Sequence, residues 1–226
     1  MIVAISDGDN LALPTARYPT TPFWQATGRG SIPLGWSINP ALAYLAPAVW
    51  DYYATTATPN DEPVPVIGYG YVAANQLPDP LDFYRTSFQL GRELGMTSYW
   101  SFFSGADWGA TDQYPLIDAA AGNRDPSSVL VGYYQYLGGP IGTTPAGRPV
   151  FNAIGSGYTD TPAQIADKIR ALTAVPPALR QPVYFISASA WTTDAQGLVD
   201  QLAPLAGNGV RFLTPTDAAA CRTNNQ

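Results

Sequence analysis

Short apolar runs of strand length recur along this chain, and most are followed by a turn and a stretch of helical spacing. That alternation constrains the fold more than any other feature. Strand–helix repeats pack as a mainly parallel sheet with helices on its faces. Strand signals fall at residues 2–6, 32–38, 64–71, 97–103, 129–134, 149–154, 182–187 and 210–213. Helical signals fall at 41–53, 79–94 and 114–121, from Thr161 onward, from Asp194 to about Leu202, and after Thr214. Pro47 lies inside the first helical stretch and should kink or divide it. Thr161 as N-cap, Pro162 at the first helical position, and Ile165, Ile169 and Leu172 on one face make the clearest helix. Seven or eight such units predict an α/β fold, a (β/α) barrel of seven to eight strands of the TIM-barrel kind, with an open doubly wound sheet as the alternative. Either arrangement puts ligands at the carboxyl ends of the strands. No internal repeat or linker divides residues 1–226, which read as one domain. A chain that opens directly in a strand reads as a domain excised from a longer protein.

Composition narrows the function. Hydrophobic residues are 46% of the 226, which excludes a disordered chain. Charged residues are only 12% and the net charge is −6, so no nucleic-acid partner is expected. No run approaches the roughly 18 apolar residues of a membrane helix, so no membrane insertion is expected. The chain has no histidine. A Ser-His-Asp triad, a Cys-His pair and a His-ligated metal are therefore impossible within it. Cys221 is the only cysteine, which leaves no internal disulfide and no Cys-based zinc site. No metal or cofactor is expected.

Chemistry must then rest on carboxylates, amides and aromatics. The first strand ends in Ser6-Asp7-Gly8-Asp9-Asn10. Residues two apart share a face while the chain stays extended, so Asp7 and Asp9 can point into the mouth of the fold together. Two such carboxylates can share a proton, or bind a hard cation jointly with Asn10. The same residues are also ordinary turn formers. Asn60-Asp61 precedes the third strand signal, and Gly68-Tyr69-Gly70-Tyr71 ends it, where glycine permits positive φ or close approach of a ligand. Trp36, Tyr71, Tyr134 and Trp191 stand near predicted strand ends. Such rings suit the apolar faces of sugars, although aromatics as often fill a core. Asp107 and Asp112 flank Trp108 in the loop after the fourth strand.

These pieces occur in a recognisable order. Ser6-Asp7-Gly8-Asp9-Asn10 is followed by Gly35-Trp36-Ser37-Ile38-Asn39-Pro40-Ala41-Leu42, Leu45-Ala46-Pro47, Asn60-Asp61 and Gly68-Tyr69-Gly70-Tyr71. Tyr133-Tyr134-Gln135-Tyr136, Gly147-Arg148-Pro149-Val150 and Ala190-Trp191 continue the set. Nearly the whole chain resembles the C-terminal domain of the GxGYxYP family of putative glycoside hydrolases. The resemblance implies a barrel related to glycosidase and polysaccharide-deacetylase folds, carbohydrate as partner, and an extracellular or cell-surface location beside other domains of a longer parent chain. It marks Asp7, Asp9, Asn10, Trp36, Asn60, Asp61, Gly68, Gly70 and Tyr71 as motif residues. Two departures stand out. The closing Tyr-Pro of the namesake motif is Ala73-Ala74, and Ser189-Ala190 precedes Trp191 where the family tends to carry a histidine. The second departure removes the usual Asp–His metal site of a deacetylase.

Two function classes follow. The first is a glycoside hydrolase with an Asp-based acid/base site, drawn from Asp7, Asp9, Asp61 and Asp107. Its substrate-binding residues would be Asn10, Trp36, Asn60, Gly68, Gly70, Tyr71, Tyr134, Gln135 and Trp191. The second is a carbohydrate-binding or surface-structural domain without turnover. A divalent-cation esterase built on Asp7, Asp9 and Asn10 is a lesser third.

Overall fold

The computed structural model describes residues 1–70, 72, 74–101, 113–132, 142–154 and 159–223. Its strands are β1 (Ile2–Ile5), β2 (Leu34–Ser37), β3 (Asp61–Val64), β4 (Ser98–Ser101), β5 (Ser128–Val131), β6 (Gly142–Thr143), β7 (Pro149–Asn152) and β8 (Phe185–Ala188). Helices α1 (Leu42–Leu45), α2 (Pro47–Thr56), α3 (Pro80–Glu93), α4 (Tyr114–Ala121), α5 (Pro162–Ala174), α6 (Ala195–Leu202) and α7 (Pro215–Thr223) connect and close them. Pro47 does divide its helix, and it becomes the first residue of α2. Asp79 caps α3 by accepting from the Asp82 N–H at 3.0 Å. Thr161 and Gln164 form a reciprocal capping box at the start of α5.

The strands assemble into two four-stranded sheets, ordered β3-β2-β1-β8 and β4-β5-β7-β6. All pairings are parallel except β6 against β7. This is the expected α/β fold with parallel strands. The sheets meet through single bridges, Val66 with Trp100 on one side and Ala153 with Phe185 on the other. Two strand expectations need correction. Residues 210–213 form no strand; their main chain contributes isolated bonds, from the Leu213 N–H to the Met1 carbonyl at 2.9 Å, from the Met1 amino group to the Arg211 carbonyl at 2.8 Å, and from the Gly207 N–H to the Val210 carbonyl at 3.0 Å. The two-residue β6 carried no strand signal, because its Gly-Thr pair has neither length nor apolar alternation.

Alternation along the strands sorts side chains into three cores. Val3, Ile5, Leu34, Trp36, Ile38 and Ile186 face outward from the first sheet and pack under α5 and α6. Tyr99, Val129, Val131 and Val150 do the same for the second sheet, under α3 and α4. Between the sheets lie Ile2, Ala4, Val64, Val66, Trp100, Leu130, Phe151 and Phe185. The Trp100 and Phe185 rings meet edge-on there, with centroids 5.1 Å apart. Ala218 and Ala219 of α7 join this inner cluster, so the last helix covers it at the amino ends of the strands.

Glu62 fastens that cover. It shares the inward face of β3 with Val64. Its carboxylate accepts from the Thr216 N–H at 3.0 Å and the Thr216 hydroxyl at 2.9 Å, at the start of α7. An acid at a helix N-terminus is favourably placed for the backbone donors and the dipole. Burial nonetheless pushes the Glu62 carboxyl above its ordinary range, against hydrogen bonds from Thr216, Ser98 and Thr214 that pull it down. A carboxyl raised on folding contributes most to stability below its unfolded pKa, and that contribution is lost as pH rises through the folded value. The contribution of Glu62 to the unfolding free energy is therefore expected to decline above about pH 4.3, the unfolded value of a glutamate. Glu62→Gln keeps an acceptor for the Thr216 N–H and should flatten the decline, read by urea unfolding across pH. An identical slope in both proteins would remove Glu62 as its cause.

Candidate functional site

The carboxyl ends of β1, β2 and β8 converge on Asp7. The inner face of this sheet is apolar toward its amino end, at Ile2 and Phe185, and hydroxylated toward its carboxyl end, at Ser6, Ser37 and Ser187. β1 ends abruptly because Asp7 adopts a left-handed backbone, φ 74°. Few residues other than glycine do so, and aspartate is among those that do. Such a conformation costs about 1–3 kcal/mol and persists only where its surroundings impose it. Gly8 then passes directly under β2. Its N–H donates to the Ser37 hydroxyl at 2.7 Å, and a Cβ on it would lie 1.6 Å from the Ser37 carbonyl oxygen. Only glycine fits.

The Asp7 side chain is buried and held. Its Oδ2 accepts from the Ser6 hydroxyl at 2.8 Å, the Ala190 N–H at 3.0 Å and the Ser189 hydroxyl at 3.3 Å. These contacts join the end of β1 to the loop after β8. Tyr18 supports the turn from beneath, fully buried, its hydroxyl donating to the Ser6 carbonyl and lying 3.2 Å from the Ser37 hydroxyl. Burial raises the Tyr18 phenol well above its ordinary value, and the nearby charges of Asp7 and Asp9 raise it further. Asp9 is buried as well. Its carbonyl accepts from the Asn39 side-chain amide at 3.2 Å. Below Ser189 on the same face of β8, the Ser187 hydroxyl is buried without a partner among the described residues. An unsatisfied hydroxyl costs about 1–3 kcal/mol, so a polar group from water or a ligand is expected against it.

Trp191 borders this cluster. It follows Ala190 directly and is 49% exposed. The Arg17 guanidinium lies 5.6 Å from its ring and 5.1 Å from that of Phe23. An exposed indole braced by a cation offers a flat apolar face.

Several expected site residues serve the architecture instead. Asn10 uses both ends of its amide locally, donating to the Asp7 carbonyl at 3.0 Å and accepting from the Leu13 N–H at 3.2 Å. Trp36 is 0% exposed, packed in the outer core edge-on to Trp24 at 4.8 Å. Its indole N–H donates to Asp61 Oδ1 at 2.9 Å. Asp61 also accepts from the Thr58 N–H at 2.8 Å and the Thr58 hydroxyl at 2.7 Å, and pairs with Arg29. Asn60 donates to the Gly30 carbonyl at 2.6 Å.

Register places this Asp61 node at the wrong end for chemistry with Asp7. Ile5 is level with Trp36, Trp36 with Pro63, and Leu34 with Asp61. Asp61 therefore sits about 13 Å lower along the strands than Asp7, at about 3.3 Å per residue. Asp61 cannot face Asp7 across one cleft, and this corrects its assignment as a catalytic partner.

Gly68 is a packing position: φ is +79°, and a Cβ would meet the Ser87 hydroxyl at 2.2 Å. Ile67 before it is also left-handed, φ 60°, which is strained for a β-branched residue. Gly70 has no described atom within 4 Å of where a Cβ would go. Asp107, Tyr71, Tyr134 and Gln135 lie outside the described residues. The contributions of Ser6, Tyr18, Ser189 and Arg29 were not singled out from sequence. Ser6, beside Asp7 in the motif, and Ser189, where the family tends to carry a histidine, carried the only signal.

A family model described as "GxGYxYP putative glycoside hydrolase C-terminal domain" matches residues 2–220. The chain belongs to this family. Among solved structures, a putative hydrolase from Bacteroides thetaiotaomicron superposes with TM-score 0.76 at 20% identity. That match covers 99% of this chain and 44% of the Bacteroides chain, so the GxGYxYP domain spans less than half of that relative. A putative polysaccharide deacetylase from Mycobacterium smegmatis superposes with TM-score 0.58 at 12% identity, covering 99% of this chain and 91% of the other. Both likenesses concern the fold, which is similar to polysaccharide-deacetylase-like structures. No curated protein sequence matches the chain.

The structural role of Asp61 has a direct consequence. Its side chain is fully buried beside Arg29. Removing one partner of such a pair strands the other charge and typically costs about 3–5 kcal/mol. Asp61→Ala is expected to lower stability by that amount in urea unfolding, while ligand binding per folded molecule stays unchanged. Gly70→Ala should leave stability within about 0.5 kcal/mol of the parent, whereas Gly68→Ala should be strongly destabilising.

Proposed function

We propose that this GxGYxYP domain hydrolyses a poly- or oligosaccharide at the carboxyl ends of β1, β2 and β8, with Asp7 as the carboxylate at the scissile bond. One observation carries the reading. Asp7 is an acid on a strained left-handed backbone, aimed by three donors and bordered by an exposed tryptophan. Strain of this kind gathers at functional sites. The name of the family and the titles of the two structural neighbours, a hydrolase and a polysaccharide deacetylase, support the same substrate class.

Glycoside hydrolysis needs two carboxyl groups, one to protonate the leaving oxygen and one to act as base or nucleophile. With Asp61 committed at the opposite end, the pair is drawn from Asp7, Asp9 and Asp107. Trp191 would stack on a sugar ring, and the Ser187 hydroxyl would meet a water or sugar hydroxyl beneath Asp7. We read the two sheets, bridged at Val66–Trp100 and Ala153–Phe185, as halves of one seven-stranded parallel ring whose mouth is this site. A deacetylase-type divalent metal does not fit the donor set. The chain has no histidine, and the described residues contain no group of three His, Cys, Asp or Glu arranged to hold an ion. Location outside the cell, beside further domains of a longer chain, accords with the substrate.

A carbohydrate-binding domain without turnover is the second reading. It is favoured by how fully the Asp7 Oδ2 is used to join β1 to the β8 loop. The two readings separate on Asp7→Asn. Asparagine tolerates a left-handed backbone and keeps an acceptor for Ala190, so the fold should survive. Reducing-sugar release from a panel of glycans is expected to fall at least about a hundredfold, with an unchanged melting curve. Binding measured by calorimetry should weaken in Trp191→Ala under either reading. A parent protein that binds a glycan but releases no sugar, and an Asp7→Asn variant that binds equally well, would establish the second.

A further inference from the structure

At the end of the fold opposite Asp7, a cavity of about 540 Å³ opens beside Met1, just ahead of β1, and the approach to β8. That volume is in the range of small-molecule sites. Leu172, Val183, Val210 and Leu213 supply apolar wall, and Arg180, Arg211 and Arg222 supply charge. The described lining contains no acidic residue. In a chain of net charge −6, three of the ten arginines converge on one hollow without a carboxylate in its wall.

Arg180 is held by neutral groups. Arg180 donates to the carbonyls of Val175 and Thr173 at the end of α5. Arg222 donates to the Gly142 carbonyl at 3.0 Å. Carbonyl acceptors orient a guanidinium without cancelling its charge. The Arg211 guanidinium makes no hydrogen bond or ion pair with a described residue, and Arg211 is exposed.

We propose that this cavity binds an amphipathic organic anion, a carboxylate or phosphate monoester on an apolar body. The head group would meet the arginine forks, whose planar donors match both kinds of oxyanion. The body would lie against the aliphatic wall. This site is independent of the carbohydrate site at the other end of the strands.

Cys221 lines the same cavity and is the only thiol in the chain, so it reports occupancy. Decanoate is the probe, with decanol as its neutral analogue and sulfate as an anion without a body. Decanoate is expected to slow alkylation of Cys221 by iodoacetamide and to raise the melting temperature. Decanol and sulfate at the same concentration should do neither. Arg211→Ala is exposed and should fold; it is expected to weaken protection about tenfold, and Arg211→Glu further. If Cys221 is unreactive in the free protein, the melting shift alone decides. The proposal is overturned if decanol or sulfate protects as well as decanoate, if Arg211→Ala binds unchanged, or if decanoate produces neither effect.

Discussion

β1 has no exposed face. Ile2, Val3, Ala4 and Ile5 are all 0% exposed, and the strand is flanked by β2 on one side and β8 on the other. A strand so enclosed needs apolar cover on both faces, and the rest of the structure supplies it. Val3 and Ile5 are covered by the outer helices, and Ile2 and Ala4 by the side chains of the second sheet. Because all its neighbours run parallel, the ends of the sheet are chemically distinct. Everything that leaves β1 at its carboxyl end must turn within one or two residues. That forces the left-handed Asp7 and the close passage of Gly8 beneath β2.

The two ends of the strands divide the polar chemistry between them. At the amino end, Asp61 gathers Trp36, Thr58 and Arg29 into a buried node, and Glu62 caps α7. Buried charges of this kind are costly unless every oxygen is met, and here the partners are close and numerous. At the carboxyl end the polar groups are hydroxyls around a single strained aspartate. One of those hydroxyls, on Ser187, has no described partner. The amino end behaves as architecture, whereas the carboxyl end leaves this buried hydroxyl unanswered among the described residues. The arginine-lined cavity is the exception at the amino end, since its charge is not answered by any acid in its described wall.

The element order was largely legible because it rests on local signals. Capping residues, Pro47 and the spacing of Ile165 and Ile169 act within a few residues of themselves, and the helices begin and end near where they direct. Strand edges were less legible. The third strand signal spanned residues 64–71, yet β3 is Asp61–Val64, because pairing with β2 extends it backward through polar residues that no hydropathy pattern marks. Residues 210–213 have strand-like composition, but they meet only Met1, ahead of β1, and Ala206, too little pairing to make a strand. The site was half legible. Asp7 and Trp191 stand where strand-end reasoning put them. Trp36, Asn60 and Asp61 belong to the same ordered motif but hold the fold. Nothing in a linear pattern distinguishes an aspartate that meets hydroxyls and a backbone N–H from one that meets an arginine.

The sequence by itself determined the α/β class, the family, and the absence of any histidine-based chemistry, because these depend on composition, periodicity and ordered motifs. Only the tertiary structure decided which carboxylates can act together. Asp7 and Asp61 are both motif acids, but parallel register sets them at opposite ends of the strands. Asp7 gained its setting from Ser189 and Ala190, more than 180 residues away in the chain. Contacts of that separation are settled by how β1 and β8 pair, which no local signal encodes.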